Sequence, residues 1–299
     1  MITILLSTYN GEKYLKQQLD SLYAQTYKNI KIIVRDDGST DSTMEILELY
    51  NLNILSSNKN VGSSNSFFIL LEYALKTTDS EYFMFCDQDD IWYSDKIDKT
   101  LKKMEELEKK YSNLPLLVHT DLNVVNNRLS IINESFMLYQ KIDAKYNAFN
   151  NLLMQNIITG CTTMLNKKLS EICCPVSSDF ILHDWWIGLV ASTFGKIGYL
   201  NESTISYRQH DSNSIGAKRF NFTYIIKKFN TVNILELNKI QAEVFLNKYE
   251  NKLNKDQRNL LEDFILINKK SFLIKRILLI KYNLYKQGFL RNLGLFFKI

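Results

Sequence analysis

Only two prolines and ten glycines punctuate the 299 residues, and no Pro- or Gly-rich stretch is long enough to link independent units. Cysteine is nearly as scarce. Cys86, Cys161, Cys173 and Cys174 lack the C-x2-C spacing of a zinc site, and a disulfide between the adjacent pair would be strained. They read as buried reduced thiols, which suits a reducing cytosol. No run reaches the roughly 18 uninterrupted apolar residues of a membrane span. The opening Met1-Ile-Thr-Ile-Leu-Leu-Ser has no basic flank, so it reads as a first buried strand rather than a signal peptide. Also missing is a G-x-G-x-x-G turn: residues 7–12 are Ser-Thr-Tyr-Asn-Gly-Glu, which excludes a dinucleotide-binding Rossmann domain.

What is present is ordinary globular material, 45% hydrophobic and 23% charged, which argues against disorder and, with the lack of a linker, for one compact unit. The net charge of +5 is unevenly placed. Residues 264–299 hold eight Lys or Arg and no Asp or Glu; removing those eight from 37 leaves 29 basic against 32 acidic residues elsewhere. The basicity belongs to a terminal segment, so no nucleic-acid-binding face of the core is expected.

Along the chain, apolar runs at 2–7, 30–35, 52–55 and 81–86 alternate with helical patterns beginning near residues 15, 41 and 63. This alternation predicts a parallel, doubly wound sheet. Ligands in such sheets bind beyond the carboxyl ends of the strands, where the polar clusters at 7–10, 36–39 and 87–90 fall. Further on, 114–125 and 159–165 read as strands, and 94–110 and 146–156 as helices. From about residue 220 the apolar spacing is helical throughout. The expected organisation is a domain over 1–219 and a basic helical extension over 220–299.

Asp87-Gln88-Asp89-Asp90 puts three carboxylates into four residues at a strand end. Two readings fit: a solvated turn with Asp90 or Ser94 capping the next helix, or a site where Mg²⁺ or Mn²⁺ relieves the repulsion and leaves positions open for phosphate. Asp36-Asp37-Gly38-Ser39 is common turn chemistry, yet its carboxylates could accept hydrogen bonds from a base or ribose. In His183-Asp184-Trp185-Trp186 a carboxylate beside aromatic rings suits a general base facing a sugar, and equally suits a helix start with core tryptophans. His210, after Tyr207-Arg208 and before Asp211-Ser212-Asn213-Ser214, could help hold a pyrophosphate and its metal. His119 and Asp121 read as structural, or as an edge of an acceptor groove.

Taken together, Ser7-Thr8-Tyr9-Asn10, Gln25-Thr26-Tyr27, Asp36-Asp37-Gly38-Ser39-Thr40-Asp41, Asn60-Val61-Gly62 and Asp87-Gln88-Asp89-Asp90-Ile91-Trp92 resemble an inverting family 2 glycosyltransferase of the GT-A fold. Gly160-Cys161, His183-Asp184-Trp185-Trp186 and Tyr207-Arg208-Gln209-His210 are similar to the branch containing bacterial rhamnosyltransferases of O-antigen, capsule and cell-wall polysaccharides. The resemblance implies an α/β fold, a Rossmann-like mixed sheet flanked by helices with a C-terminal helical extension. It implies that Ser7, Thr8, Tyr9, Asp36, Asp37, Asn60, Gly62, Asp87, Gln88 and Arg208 bind a nucleotide sugar, Arg208 through the diphosphate. It further implies that Asp87, Asp89 and His210 hold Mg²⁺ or Mn²⁺, that Asp184 is the catalytic base, and that His183, Trp185 and Trp186 face the acceptor. This sequence departs from the family's usual Glu-Asp pair, because His183 replaces the glutamate.

The expected function is metal-dependent, inverting transfer of a sugar, L-rhamnose from dTDP-rhamnose first, to a growing polysaccharide. A UDP-hexose or UDP-N-acetylhexosamine donor is the alternative; a silent nucleotide-sugar-binding protein and a metal-dependent hydrolase are more distant ones. The basic, apolar tail predicts contact with an anionic membrane, with packing on the domain or an oligomer contact as its alternatives. The expected location is cytoplasmic, peripheral at the inner face of the plasma membrane, where a lipid-linked carbohydrate acceptor would be met.

Overall fold

The computed structural model describes residues 1–175, 182–210 and 235–299. The first half alternates β1 (Ile2–Thr8), α1 (Leu15–Tyr23), β2 (Ile30–Asp36), α2 (Thr43–Glu48), β3 (Asn53–Ser56), α3 (Ser63–Thr77) and β4 (Tyr82–Cys86). There follow β5 (Ile91–Trp92), α4 (Lys96–Lys110), β6 (Leu116–Val125), β7 (Ile131–Asn133), α5 (Phe136–Gln140), α6 (Phe149–Met154), β8 (Thr163–Asn166) and α7 (Lys167–Cys173). Next come α8 (His183–Phe194) and β9 (Lys196–Arg208), then α9 (Glu236–Tyr249), α10 (Lys255–Ile265), α11 (Phe272–Lys281) and α12 (Phe289–Lys298).

The described strands form one nine-stranded sheet in the order β3-β2-β1-β4-β8-β6-β9-β5, with β7 paired to β6. The expected parallel half is there: β1 lies parallel to both β2 and β4, and β2 to β3. Beyond β4 the sheet is mixed, since β8 runs antiparallel to both β4 and β6. The apolar run at 159–165 is not one strand. Its first part turns in a 3-10 helix, Gly160–Thr162, and only Thr163–Asn166 pairs.

Alternation along β1 builds two cores. Ile2, Ile4 and Leu6 point to the α1/α4 side, whereas Leu5 joins Phe67, Leu70 and Leu71 of α3 on the other. On α4, Ile97, Thr100, Met104 and Leu107 recur at helical spacing and are buried. The second core also takes in Phe245 and Tyr249 of α9, Phe264 of α10, Leu278 and Leu279 of α11 and Leu295 of α12. The C-terminal helices therefore share a core with the sheet. The expected boundary near residue 219 lies outside the described residues.

Trp186 sits at the junction of sheet-side and C-terminal helices. It is wholly buried, stacks on Tyr249 with ring centroids 5.8 Å apart, and meets Phe245 edge-on at 5.6 Å. Trp185 is 6% exposed, and its Nε1 donates to the Leu152 carbonyl at 2.7 Å. The expectation that both rings face a sugar is corrected: helices α6 and α9 cover them, so they are packing residues. Trp186→Ala should lower unfolding free energy by about 3–5 kcal/mol, read from denaturant melts. Trp186→Phe should recover part of that loss.

Candidate active site

Parallel strands β1, β2 and β4 end side by side, with Thr8 paired to Asp36 and Leu6 to Cys86. Their next residues open into a cleft of about 710 Å³. One wall is polar and comes from those strand ends: Ser7, Thr8, Tyr9, Asp37, Asn60, Gly62, Asp87, Gln88 and Asp89. The opposite wall comes from α5, α6 and α8 with their flanking loops, and includes Phe136, Ile158, Gly160, His183 and Asp184.

Reciprocal hydrogen bonds fix the polar wall. The Tyr9 N–H donates to Gln88 Oε1 at 2.8 Å, and Gln88 Nε2 donates to the Tyr9 carbonyl at 2.9 Å. Gly11 is needed for this approach, because a Cβ there would lie 2.4 Å from Gln88 Oε1. Asp37 accepts from the backbone N–H of Val61 at 3.0 Å and of Gly62 at 2.9 Å, and pairs with buried Arg35. It thereby ties the loop before α3 to the end of β2, and Gly62 supports that loop at φ +82°.

Asp36 does not line the cleft. Its carboxylate accepts from Thr8 Oγ1 at 2.9 Å, Ser39 Oγ at 2.6 Å and Ser39 N–H at 2.8 Å, closing the turn. Arg208 is likewise corrected from diphosphate contact to positioning residue. It is 2% exposed and lies behind the cleft wall. Its Nε donates to the Asp89 carbonyl at 2.8 Å, its Nη1 to the Asn127 carbonyl and its Nη2 to Gln17 Oε1. Its backbone N–H donates to Asp90 Oδ1 at 3.0 Å. His210 follows directly, with Nε2 2.8 Å from Asp89 Oδ2 and its ring against Tyr14.

Carboxylates crowd the floor. Burial, then the charges of Asp89 and Asp184, push Asp87 up to about 7. Burial, then the charges of Asp89 and Asp87, raise Asp90 well above the carboxylate range. One oxygen of Asp87, one of Asp90 and the Cys161 sulfur lie within 4.8 Å of one another, and buried Asp90 Oδ2 has no hydrogen-bond partner among the described residues. An orphaned buried carboxylate oxygen within a repelling acidic group fits a hard divalent cation, whose charge would reverse the repulsion. Cys161 suits such an ion poorly, because burial keeps its thiol protonated.

Asp184 stands across the cleft, in the first turn of α8. It accepts from Trp185 N–H at 2.6 Å and from Asn156 Nδ2 at 3.1 Å. Burial nevertheless pushes its pKa up to about 6. His183 lines the cleft and packs against Phe67 at 4.4 Å and Phe85 at 5.1 Å between centroids. Burial pushes it down to about 3, so it is a neutral ring at pH 7. A Cβ on Gly160 would sit 2.3 Å from His183 Nε2, so glycine leaves room for the ring. Asn156 was not among the expected site residues; its only signal was a Gln155-Asn156 pair ending an apolar helix.

The model of the family described as Glycosyl transferase family 2 matches residues 3–172, more than half of the chain. The dTDP-rhamnosyl transferase RfbG of Shigella flexneri is 30% identical over 227 residues, covering 71% of this chain and 74% of RfbG. The UDP-Glc:alpha-D-GlcNAc-diphosphoundecaprenol beta-1,3-glucosyltransferase WfgD of Escherichia coli is 27% identical, covering 74% of this chain and 81% of WfgD. Among solved structures, S. aureus TarS 1-349 in complex with UDP-GlcNAc matches with a TM-score of 0.54 at 19% identity, over 93% of this chain and 86% of that one. The mixed sheet with flanking helices is thus of the GT-A type, with a helical C-terminal region. On these matches, the chain belongs to glycosyl transferase family 2.

Proposed function

We propose that this glycosyltransferase moves L-rhamnose from dTDP-rhamnose to a hydroxyl of a growing cell-surface polysaccharide, with inversion at the anomeric carbon. The observation that carries the transfer chemistry is the convergence of Asp87, Asp89 and Asp184 on one cleft from opposite walls. The rhamnosyl donor is supported by the 30% identity to RfbG. The 27% identity to WfgD supports the second reading, a UDP-hexose in the same site. The acceptor is read as lipid-linked, met at the cytoplasmic face of a membrane. Support for this is the tail's basic and apolar character. No helix among the described residues is long and apolar enough to cross a membrane.

Ser7, Tyr9 and Asp37 would receive the base, with Asn60 and Gly62 beside it. Thr8 would line the same wall, and Asp36 would act from behind by shaping the turn. Asp87 and Asp89 would hold Mg²⁺ or Mn²⁺ with His210 in support, and that ion would neutralise charge gathering on the departing diphosphate. Asp184 accepts the proton of the acceptor hydroxyl as its oxygen bonds to the anomeric carbon. The bond from that carbon to the diphosphate oxygen breaks with its electron pair on the nucleotide. Asn156 and the Trp185 N–H aim the carboxylate, and neutral His183 walls the sugar without adding charge. The residues named here all lie within 1–219, and 220–299 is read as an extension whose described helices complete the core of that domain.

Asp184→Asn should lower turnover about 10²–10⁴-fold while donor affinity, read by calorimetry, stays near wild type; near-normal turnover would overturn the base assignment. Because Asp184 must be ionised to accept the proton and its pKa is pushed up to about 6, kcat/KM should fall as pH drops through about 6. A profile flat from pH 5 to 8 would contradict it. Asp89→Ala should abolish metal-dependent thermal stabilisation by dTDP-rhamnose. Stabilisation by a UDP-sugar instead would keep the enzyme class and discard the rhamnosyl donor.

A further inference from the structure

The two last helices pack inward through Leu278, Leu279 and Leu295, yet most of their large apolar side chains face outward. Leu273, Ile277 and Ile280 of α11 and Phe289, Leu293 and Phe297 of α12 are all exposed, Phe289 at 78%. Arg276 joins the two helices. It is 5% exposed, its Nη1 donates to the carbonyls of Phe272 and Ile299 at 3.0 and 3.1 Å, and its guanidinium lies 3.5 Å from the Phe272 ring centroid. The segment that carries this face is strongly basic: it holds Lys269, Lys270, Lys275, Lys281, Lys286 and Lys298 with no acid from 264 to 299, and the neighbouring Asp263 pairs with Lys281 at 3.3 Å.

An outward apolar face on a lysine-rich segment suits an anionic bilayer, where apolar groups enter the acyl boundary and ammonium groups meet headgroup phosphates. A second copy of this chain fits it less well, because the same face would bring two basic segments together.

The platform is also fastened to the cleft. Arg291 Nη1 donates to the Lys141 carbonyl at 2.8 Å, and its Nη2 to that of Gln140. Just before α12, the Gln287 N–H donates to Gln155 Oε1 at 2.9 Å and its Nε2 to the Asp143 carbonyl at 3.1 Å. Gln140, Ile142 and Gln155 line the cleft on the Asp184 side. We infer that α11 and α12 form a docking platform for an anionic lipid surface, and that Gln287 and Arg291 latch this platform to the acceptor rim so that the cleft opens next to the bilayer.

The inference deepens the transferase reading, on which the acceptor's identity rests; vesicle binding is measured without turnover, so the two can fail separately. Full-length protein would be sedimented with phosphatidylglycerol-rich and with pure phosphatidylcholine vesicles. It should bind the anionic ones and release at high salt. A Leu273→Ser/Ile277→Ser/Phe289→Ser/Phe297→Ser variant should bind about tenfold less or weaker still, with unchanged circular dichroism and unchanged nucleotide-sugar binding. A fluorophore at Leu138→Cys, on α5 beside the rim, should be quenched by nitroxide-labelled lipid. One at Leu49→Cys, after α2 toward the β3 edge, should not. Equal sedimentation of variant and wild type, or no sedimentation of either, would overturn the platform. Concentration-dependent self-association lost in the variant would make the face an interface between copies and overturn it too. Quenching at Leu49 but not Leu138 would overturn the latch.

Discussion

Buried Arg208 holds the acidic turn after β4 in place. Its guanidinium reaches the Asp89 carbonyl, the loop after β6 and Gln17 of α1, while its own N–H holds Asp90. A buried cation is expensive unless well partnered. Here its carbonyl and amide acceptors, the Tyr14 ring at 4.4 Å and the nearby charges of Asp90 and Asp89 supply that partnership. The far end of β9 therefore determines where Asp87 and Asp89 point. Without that anchor, three carboxylates in four residues would splay toward water.

The first wall of the cleft was legible because its parts are local. Apolar runs closed by polar turns specify parallel strands, and parallel strands put their ends together. Thus Ser7, Tyr9, Asp37, Asn60, Gly62, Asp87, Gln88 and Asp89 all meet in the cleft. The second wall was less legible because it depends on what covers what. Trp185 and Trp186 follow Asp184 in sequence, but successive helical residues point about 100° apart. Only the packing of α6 and α9 decides which faces inward. Arg208 and Asp36 show the same limit, since charge near a strand end says nothing about which side of the turn it occupies. Asp121 does prove structural, accepting from the Phe136 and Met137 N–H groups at the start of α5. The 13-residue β9 offered little periodic signal, since exposed Asn201 and Glu202 interrupt it.

Electrostatics divides the cleft. On the strand-end side, burial first and neighbouring carboxylates second push Asp87 and Asp90 up, an arrangement that stores unfavourable energy until positive charge arrives. On the helical side, Asp184 has its own amide donors and a neutral histidine beside it, and is raised mainly by burial. Titratable groups of one kind are thus set apart by their surroundings, one group suited to holding charge and the other to exchanging a proton.

The burial of Trp186 against α9 has a consequence for how such enzymes can be recombined. The helix that carries Asp184 in its first turn has its underside completed by residues more than fifty positions later, Phe245 and Tyr249. A hybrid made by cutting between the sheet and the C-terminal helices would leave an indole-sized mismatch directly beneath the proton acceptor. Inheritable units in this architecture therefore do not follow chain order. Helix α8 should travel with the C-terminal helices that cover it, so an exchange of acceptor preference between relatives would have its natural seam ahead of residue 183.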